Sequence, residues 1–145
     1  MTAFEEAFLF YRAARYDLHG GALLKTNPKE YIVDTGFRTW MAGYRVTDIG
    51  RLFENAVYFQ LLYEGWSVHV GKLYGKEVDF VATKDGRVLY VQATDEMFAS
   101  ETREREIAPL KAIRDNHEKI AVVRQGSYDT DIDGIRIVSA RDFFL

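Results

Sequence analysis

The sequence predicts a single α/β domain, in which a β-sheet is layered with helices. Three observations support this prediction. Segments with helical and with strand periodicity are mixed along the chain rather than separated into blocks. The 145 residues are enough for one domain with a two- or three-layer core and hardly enough for two. Apolar residues make up 48% of the chain and charged residues 28%, as is ordinary for a globular protein.

The first segment, residues 3–16, is predicted to form a helix. Phe4, Ala7, Phe8 and Tyr11 follow the i, i+3, i+4, i+7 spacing of one helical face. A pair of glycines shortly afterwards is typical of a helix end. We therefore expect the chain to begin with a helical arm.

A connector with a short extended piece at residues 31–33 leads to a second predicted helix. This helix starts at Thr47 or Asp48, since either side chain can cap the first turn. It runs to about Glu64, and Gly65 stands where a helix-closing glycine is common.

Three strands are predicted next, at residues 66–70, 77–82 and 87–93. Their apolar and β-branched content favours strands. Residues 83–86 join the second strand to the third, and their Asp-Gly pair is typical of a hairpin turn.

The C-terminal third is predicted to form one long charged helix and three short elements. The helix spans residues 100–116, with Ser100 as its cap, and Pro109 indicates a kink or two helices placed end to end. The shorter elements are strands at 119–123 and 135–138 and a last helical turn at 140–144.

Two acids stand in unusually apolar surroundings. Glu54 is the only charged residue between Leu52 and Tyr63 on the second helix, and Asp79 interrupts an apolar strand. A carboxylate in such a place is costly unless it is paired, hydrogen-bonded or bound to a cation. Taken alone, each is simply explained as a structural acid, with Arg51 as a candidate partner of Glu54.

The neighbouring strand offers a third oxygen, from Gln92. Strand alternation predicts that Glu77, Asp79 and Val81 share one face, and Gln92 then approaches Asp79 across the ladder. A helix packed on that face would bring Glu54 to the same place. Magnesium prefers carboxylate and other oxygen ligands, so these side chains form a candidate metal site.

The chain resembles the C-terminal domain of unknown function that prokaryotic AAA-type ATPases carry. The resemblance covers nearly the whole chain and is carried by GRLFENAVYFQLLYEGWSVHVGKLYGKEVDFVATKDGRVLYVQAT, by SETREREIAPLKAIRDNHEK and by RYD followed by LLKTNPKEYIVDTGFR. It implies a restriction-endonuclease-like, PD-(D/E)XK fold, a mixed β-sheet flanked by helices, over residues 31–145. Residues 1–30 then form a helical arm that resembles the end of a preceding winged-helix segment. An ATPase motor in the same polypeptide is the implied partner.

Within this pattern, Glu54 matches the helix acid and Asp79 the strand acid of the nuclease site. The segment from Gln92 to Thr94 falls where the E-x-K part belongs. Glutamine offers a metal an oxygen but no negative charge. Threonine replaces the lysine that would steady the attacking water and the charge developing on the phosphate.

A substitute lysine would have to come from elsewhere, and Lys76 or Lys72 in the preceding turn are candidates. The implied cofactor of an active site is Mg²⁺ or Mn²⁺. The glycines of residues 71–77 are too close together for a phosphate loop, so no ATP site is expected in this chain.

The substitutions favour a catalytically degenerate module that serves assembly or substrate recognition. A metal-dependent nuclease acting on DNA or RNA is the first alternative, and a non-cleaving nucleic-acid-binding module is the second. The net charge of −3 disfavours strong phosphate binding, and basic residues of the charged helix alternate with acidic ones.

Composition also predicts the setting of the protein. The chain has no cysteine, which excludes disulfides, cysteine zinc sites and thiol chemistry. No membrane-span or signal pattern is seen, so we expect a cytoplasmic protein without a membrane partner. A homo-oligomer is a further candidate assembly, because it would cover the exposed side of the predicted first helix.

Overall fold

A computed structural model of the chain describes residues 9–43, 45, 48–126 and 128–145. The strands are β1 (Phe10–Ala13), β2 (Arg15–Asp17), β3 (Ala22–Leu23), β4 (Lys29–Ile32), β5 (Ser67–Leu73), β6 (Lys76–Lys84), β7 (Arg87–Met97), β8 (Glu118–Gly126), β9 (Asp131–Ile132) and β10 (Ile135–Ser139). The helices are α1 (Thr35–Ala42), α2 (Ile49–Tyr63), α3 (Ser100–Lys111) and α4 (Ala140–Phe144). None of the helices within these ranges combines the length and the apolar character that a membrane span needs.

The architecture is a mixed α/β fold built on one large sheet. Within the described ranges this sheet has eight strands in the order β3-β2-β5-β6-β7-β8-β10-β9, while β1 and β4 pair separately. Strands β5, β6 and β7 form an antiparallel meander, and β8 and β10 continue in parallel with β7. The α/β prediction is confirmed at this level.

Helices cover both faces of the sheet. On one face, Phe53, Val57 and Leu61 of α2 pack with Phe80 and with side chains of β5, β7 and β8, and α4 adds two partly buried phenylalanines. On the other face, Ile107 of α3 belongs to a second buried cluster with residues of β6, β7, β8 and β10. The two apolar layers hold the middle strands of the sheet rigidly between them.

The predicted N-terminal helical arm is wrong for the residues that the structure describes. Residues 10–17 form β1 and β2, and three of the residues that gave the helical spacing, Phe4, Ala7 and Phe8, lie outside the described residues. β1 pairs with β4, and β2 runs parallel to β5 in the main sheet. Pairing with strands that are distant in the sequence overrides the local helical pattern.

The other elements follow the predictions closely, with three differences at helix ends. One is that Asp48 precedes the second helix but makes no side-chain capping hydrogen bond, and the other candidate cap, Thr47, lies outside the described residues. The second helix, the strand meander, the last two strands and the final helical turn are confirmed, and Asp85 and Gly86 have the positive φ of a tight hairpin turn. The charged helix is continuous through Pro109 but ends at Lys111 rather than near residue 116. Asp115 instead accepts a hydrogen bond from the backbone N–H of His117. Ala99, not Ser100, is the residue that precedes this helix as its cap.

A β-bulge lies at Asp79. Between the pairs His69–Val81 and Gly71–Val78, β5 contributes one residue and β6 contributes two, Asp79 and Phe80. The predicted alternation therefore fails at this point. Val81 joins Val78 in the cluster under α3, while Phe80 belongs to the cluster under α2.

β6 and β7 also separate next to the bulge. Their paired residues end at Phe80 and Val91, while β7 remains paired with β8 as far as Met97. The extra residue in β6 and the end of this ladder leave an opening at one end of the sheet. Helix α2 approaches the opening from one side and α3 from the other.

Candidate functional site

An open groove of about 550 Å³ occupies the end of the sheet where β6 and β7 separate. It is lined by Gly50, Arg51, Glu54, Asp79, Gln92, Ala93, Thr94, Asp95, Glu96, Thr102, Arg105 and Glu106. The first residues of α2 and α3 form its sides, and β6 and β7 supply its floor. The structure thus brings the three predicted side chains, Glu54, Asp79 and Gln92, to one groove.

The side chains of Asp79 and Gln92 hydrogen-bond across the gap between the separated strands. The backbone N–H of Ala93 donates to Oδ2 of Asp79 at 2.8 Å. In the opposite direction, the backbone N–H of Asp79 donates to Oε1 of Gln92 at 3.3 Å. These bonds connect β6 to β7 just beyond the point where their regular ladder ends, so both side chains have a structural role.

Glu54 is held by two side chains from β4. Nζ of Lys29 lies 2.7 Å from Oε1 of Glu54, and the hydroxyl of Tyr31 donates to the same oxygen at 2.8 Å. Lys29 and Tyr31 are two residues apart on one strand and therefore point to the same side. The only charge of the apolar helix segment thus has a cationic partner and a hydrogen bond.

β4 is fixed against α2 by two further contacts. Asn55 accepts the backbone N–H of Ile32 at 2.9 Å and donates to its carbonyl oxygen at 2.8 Å, in a buried position. The rings of Tyr31 and Tyr58 are stacked, with their centroids 4.0 Å apart. These contacts position Lys29 and Tyr31 over Glu54.

Glu77 links Lys29 to two more cations. Its carboxylate accepts hydrogen bonds from Lys29 at 2.8 Å and from Arg15 at 2.6 Å, and Nζ of Lys72 lies 3.0 Å away. Burial alone would raise the pKa of Glu77, but these cations lower it to about 2. The pKa of Lys29 is raised, because its contacts with Glu54 and Glu77 outweigh the opposing effect of burial.

The surroundings of Asp79 disfavour the ionised form of its carboxyl group. Burial raises its pKa from an ordinary value of 3.8 to about 7, and the negative charge of Glu54 adds to this rise. The hydrogen bond from Ala93 and the charge of Lys29 oppose it. A carboxyl group with such a pKa is partly protonated near neutral pH.

None of the side chains considered for the lysine role, Thr94, Lys76 and Lys72, places an ammonium group in the groove. Thr94, which the resemblance predicts to stand at the place of the lysine, is only 1% exposed, and its hydroxyl has no hydrogen-bond partner among the described residues. Lys76 is exposed beside the β5–β6 turn, opposite Leu73, and is not among the residues that line the groove. Lys72 contacts Glu77.

A divalent metal does not fit the side-chain arrangement of this groove. Among residues 9–43, 45, 48–126 and 128–145, no three His, Cys, Asp or Glu side chains are placed to hold a metal ion together. Oxygens of Glu54, Asp79 and Gln92 already accept hydrogen bonds from Tyr31 and from two backbone amides. The raised pKa of Asp79 further weakens it as a ligand, since a metal ligand must be deprotonated.

Lys29 is the residue of the site that sequence reasoning missed. It lies in the segment that the sequence predicts to be a connector, before the helix that carries Glu54. The available signal was the spacing of Lys29 and Tyr31, which places both on one side of an extended segment. The sequence does not show that this side faces Glu54. That follows only from the pairing of β4 with β1 and from the packing of β4 on α2.

Comparison with known proteins gives one informative relationship. The chain is 42% identical over 141 residues to an uncharacterized protein of Haemophilus influenzae, a match that covers 97% of this chain and 34% of that protein. The chain thus spans about a third of the length of this relative, consistent with its being part of a larger protein. No family model and no solved structure matches the chain.

Proposed function

We propose that this chain is a nuclease-like module of a larger protein, that it does not cleave nucleic acid, and that it serves assembly or substrate recognition. The PD-(D/E)XK type of fold is part of the proposal. A helix acid, a strand acid beside a bulge and two strands that separate at the groove support it. The resemblance to AAA-type ATPase C-terminal domains makes the ATPase motor of the same polypeptide its proposed partner.

One observation carries the non-catalytic part of the proposal. The polar side chains at the nuclease positions bond to the protein itself: Glu54 to Lys29 and Tyr31, and Asp79 and Gln92 to backbone amides. In addition, no ammonium group occupies the E-x-K position, where the hydroxyl of Thr94 is buried. A group that steadies an attacking water at that position is therefore missing.

A metal-dependent phosphodiesterase is the second candidate, because one observation favours it. Arg51 and Arg105 lie in the same groove as Glu54 and Asp79, so cations that could contact a phosphate stand beside the two acids. For this activity, Lys29 would have to leave Glu54 so that a metal could bind.

The charged surface around α3 gives less support to nucleic-acid binding without cleavage. Lys111 contacts Glu104 and Asp133 at 2.9 and 2.7 Å, and Arg105 contacts Glu106 at 3.0 Å. Cations that are engaged by neighbouring acids form a mixed surface rather than a basic patch. Such a surface suits a protein partner better than a phosphate backbone.

A cleavage assay tests the proposal directly. Labelled single-stranded, duplex and branched DNA, and RNA, would be incubated with Mg²⁺ or Mn²⁺ and either the wild type or Asp79→Ala. We expect no cleavage above the buffer background from either protein. Cleavage by the wild type that disappears in Asp79→Ala would instead establish the phosphodiesterase.

A binding titration on the same substrates separates the two non-catalytic roles. We expect weak association whose affinity changes little with salt. A linear and steep fall of log K with log salt concentration would contradict this expectation, because counterion release is the signature of phosphate contacts.

A further inference from the structure

We propose that Lys29 is an internal cation that takes the place of a bound metal ion at the groove and keeps divalent cations out. Its ammonium group lies 2.7 Å from Glu54 and 2.8 Å from Glu77, between an acid of α2 and an acid of β6. Both contacts are made from β4, which lies outside the segment that carries Glu54, Asp79 and Gln92. The inference rests on the proposed function, and it names the residue that keeps this site free of metal.

The acids around Lys29 have at least as many cations beside them without any added ion. Three cations, Arg15, Lys29 and Lys72, and the acids Glu54 and Glu77 are joined by direct contacts. Asp79 is the third acid, and its pKa responds to the charges of Glu54, Lys29 and Glu77. A divalent cation would add two positive charges next to an ammonium group, which is unfavourable in a partly buried setting.

Removing the charge of Lys29 reverses this balance. Glu54 would then lose its cationic partner, and its repulsion with the partly buried Asp79 would no longer be offset by a nearby ammonium group. A bound cation would relieve that repulsion. Glu54, Asp79 and Gln92 supply the oxygen atoms that a hard divalent ion prefers. The vacated position of the ammonium group adjoins Oε1 of Glu54.

Lys29 is also held firmly enough to act in this way. Its side chain is 29% exposed, and the backbone of its strand is anchored to α2 through Asn55. A lysine on a mobile loop would exchange readily with metal ions. On this anchored strand it stays at a short distance from both acids.

The test compares Mn²⁺ binding by the wild type, Lys29→Gln and Lys29→Met. Calorimetry and the electron paramagnetic resonance signal of free Mn²⁺ both report the affinity without any need for activity. We expect the two variants to bind Mn²⁺ about one to three orders of magnitude more tightly than the wild type. Glutamine retains a hydrogen-bonding group for Glu54, so this variant keeps the strand in place if methionine impairs folding.

Lys72→Gln is the matched control. It removes one positive charge from the same network, but Lys72 contacts Glu77 and not Glu54. We expect its Mn²⁺ affinity to stay near that of the wild type. The double variant Lys29→Gln, Glu54→Gln should lose the gained affinity, because an acid that faces the vacated position is then absent.

The outcomes are clear-cut. A folded Lys29→Gln variant that binds Mn²⁺ no more tightly than the wild type would overturn the inference. An equal gain in Mn²⁺ affinity in Lys72→Gln would show that the effect depends only on net charge, and it would overturn the specific role of Lys29. Cleavage of DNA by the wild type would overturn the proposed function, whereas a missing gain in Lys29→Gln with an inactive wild type would overturn this inference alone.

Discussion

Asp79→Asn is expected to raise the free energy of unfolding at pH 8 by roughly 2–4 kcal/mol. The wild-type carboxyl is partly buried near Glu54, and its pKa in the folded protein is about 7. Above that pH the folded state has to hold a second partly buried negative charge beside Glu54. Asparagine removes the charge, and its amide oxygen can still accept the hydrogen bond from Ala93.

The sign of the pH dependence follows from the direction of the shift. Between about pH 4 and pH 7 the folded protein binds more protons at Asp79 than the unfolded chain does, so its stability falls as the pH rises. Glu77 changes the stability in the opposite direction and over a lower range of pH. Its folded pKa of about 2 gives a stabilisation that is present above about pH 4.5 and is lost as the pH falls.

Urea unfolding at several values between pH 5 and pH 8 measures this effect. We expect the wild type to lose stability across the range and Asp79→Asn to change much less. Asp95→Asn is the matched control, since Asp95 lines the same groove but is ion-paired with Arg124. An Asp79→Asn variant that is less stable than the wild type at pH 8 would show that the carboxylate stabilises the fold.

Asn55→Ala is expected to lower the free energy of unfolding by about 2–4 kcal/mol. The substitution removes both hydrogen bonds to the backbone of Ile32 and leaves a buried N–H and a buried carbonyl without partners. Since these bonds fix β4 on α2, the contacts of Lys29 and Tyr31 with Glu54 should weaken as well. Chemical unfolding measures the first effect, and the NMR chemical shifts of the Lys29 ammonium group and the Tyr31 ring measure the second.

Gln60→Ala serves as the control for this prediction. Gln60 lies on the same helix and donates a hydrogen bond to Glu64 at 3.0 Å, but in an exposed position. We expect a change within about 0.5 kcal/mol for this variant. A similarly small effect of Asn55→Ala would show that water replaces the lost hydrogen bonds and that β4 is not anchored through this side chain.

The parts of the fold that the sequence predicted well are those with local signals. The turn at Asp85 and Gly86 places β6 beside β7 without reference to the rest of the chain. Helix α2 is recognisable because Asp48 precedes it and Gly65 follows it, with an apolar face between them. These elements contribute the groove side chains Glu54, Asp79 and Gln92, so this part of the candidate site was predictable.

The parts that were not predicted depend on contacts between distant residues. A helical pattern at the N-terminus gave no sign that Arg15 would pair beside Val70 in a sheet. The bulge at Asp79 depends on how β5 and β6 match in length, which neither strand shows alone. The position of Lys29 over Glu54 depends on both strand pairing and packing on a helix. Periodicity reports the near neighbours of a residue and not its partners across the fold.

The ion pairs that join the N-terminal strands to the sheet have a consequence for the order of folding. Arg15 and Lys29 reach Glu77 across sequence separations of 62 and 48 residues, whereas the β5–β6–β7 meander closes through short turns. Long loops are slower to close, so we expect the meander to form first and the N-terminal strands to dock late. A partial opening that releases only these strands would carry two cations away together and leave Glu54 and Asp79 facing water. Access to the acids is thereby tied to the local stability of the first third of the chain.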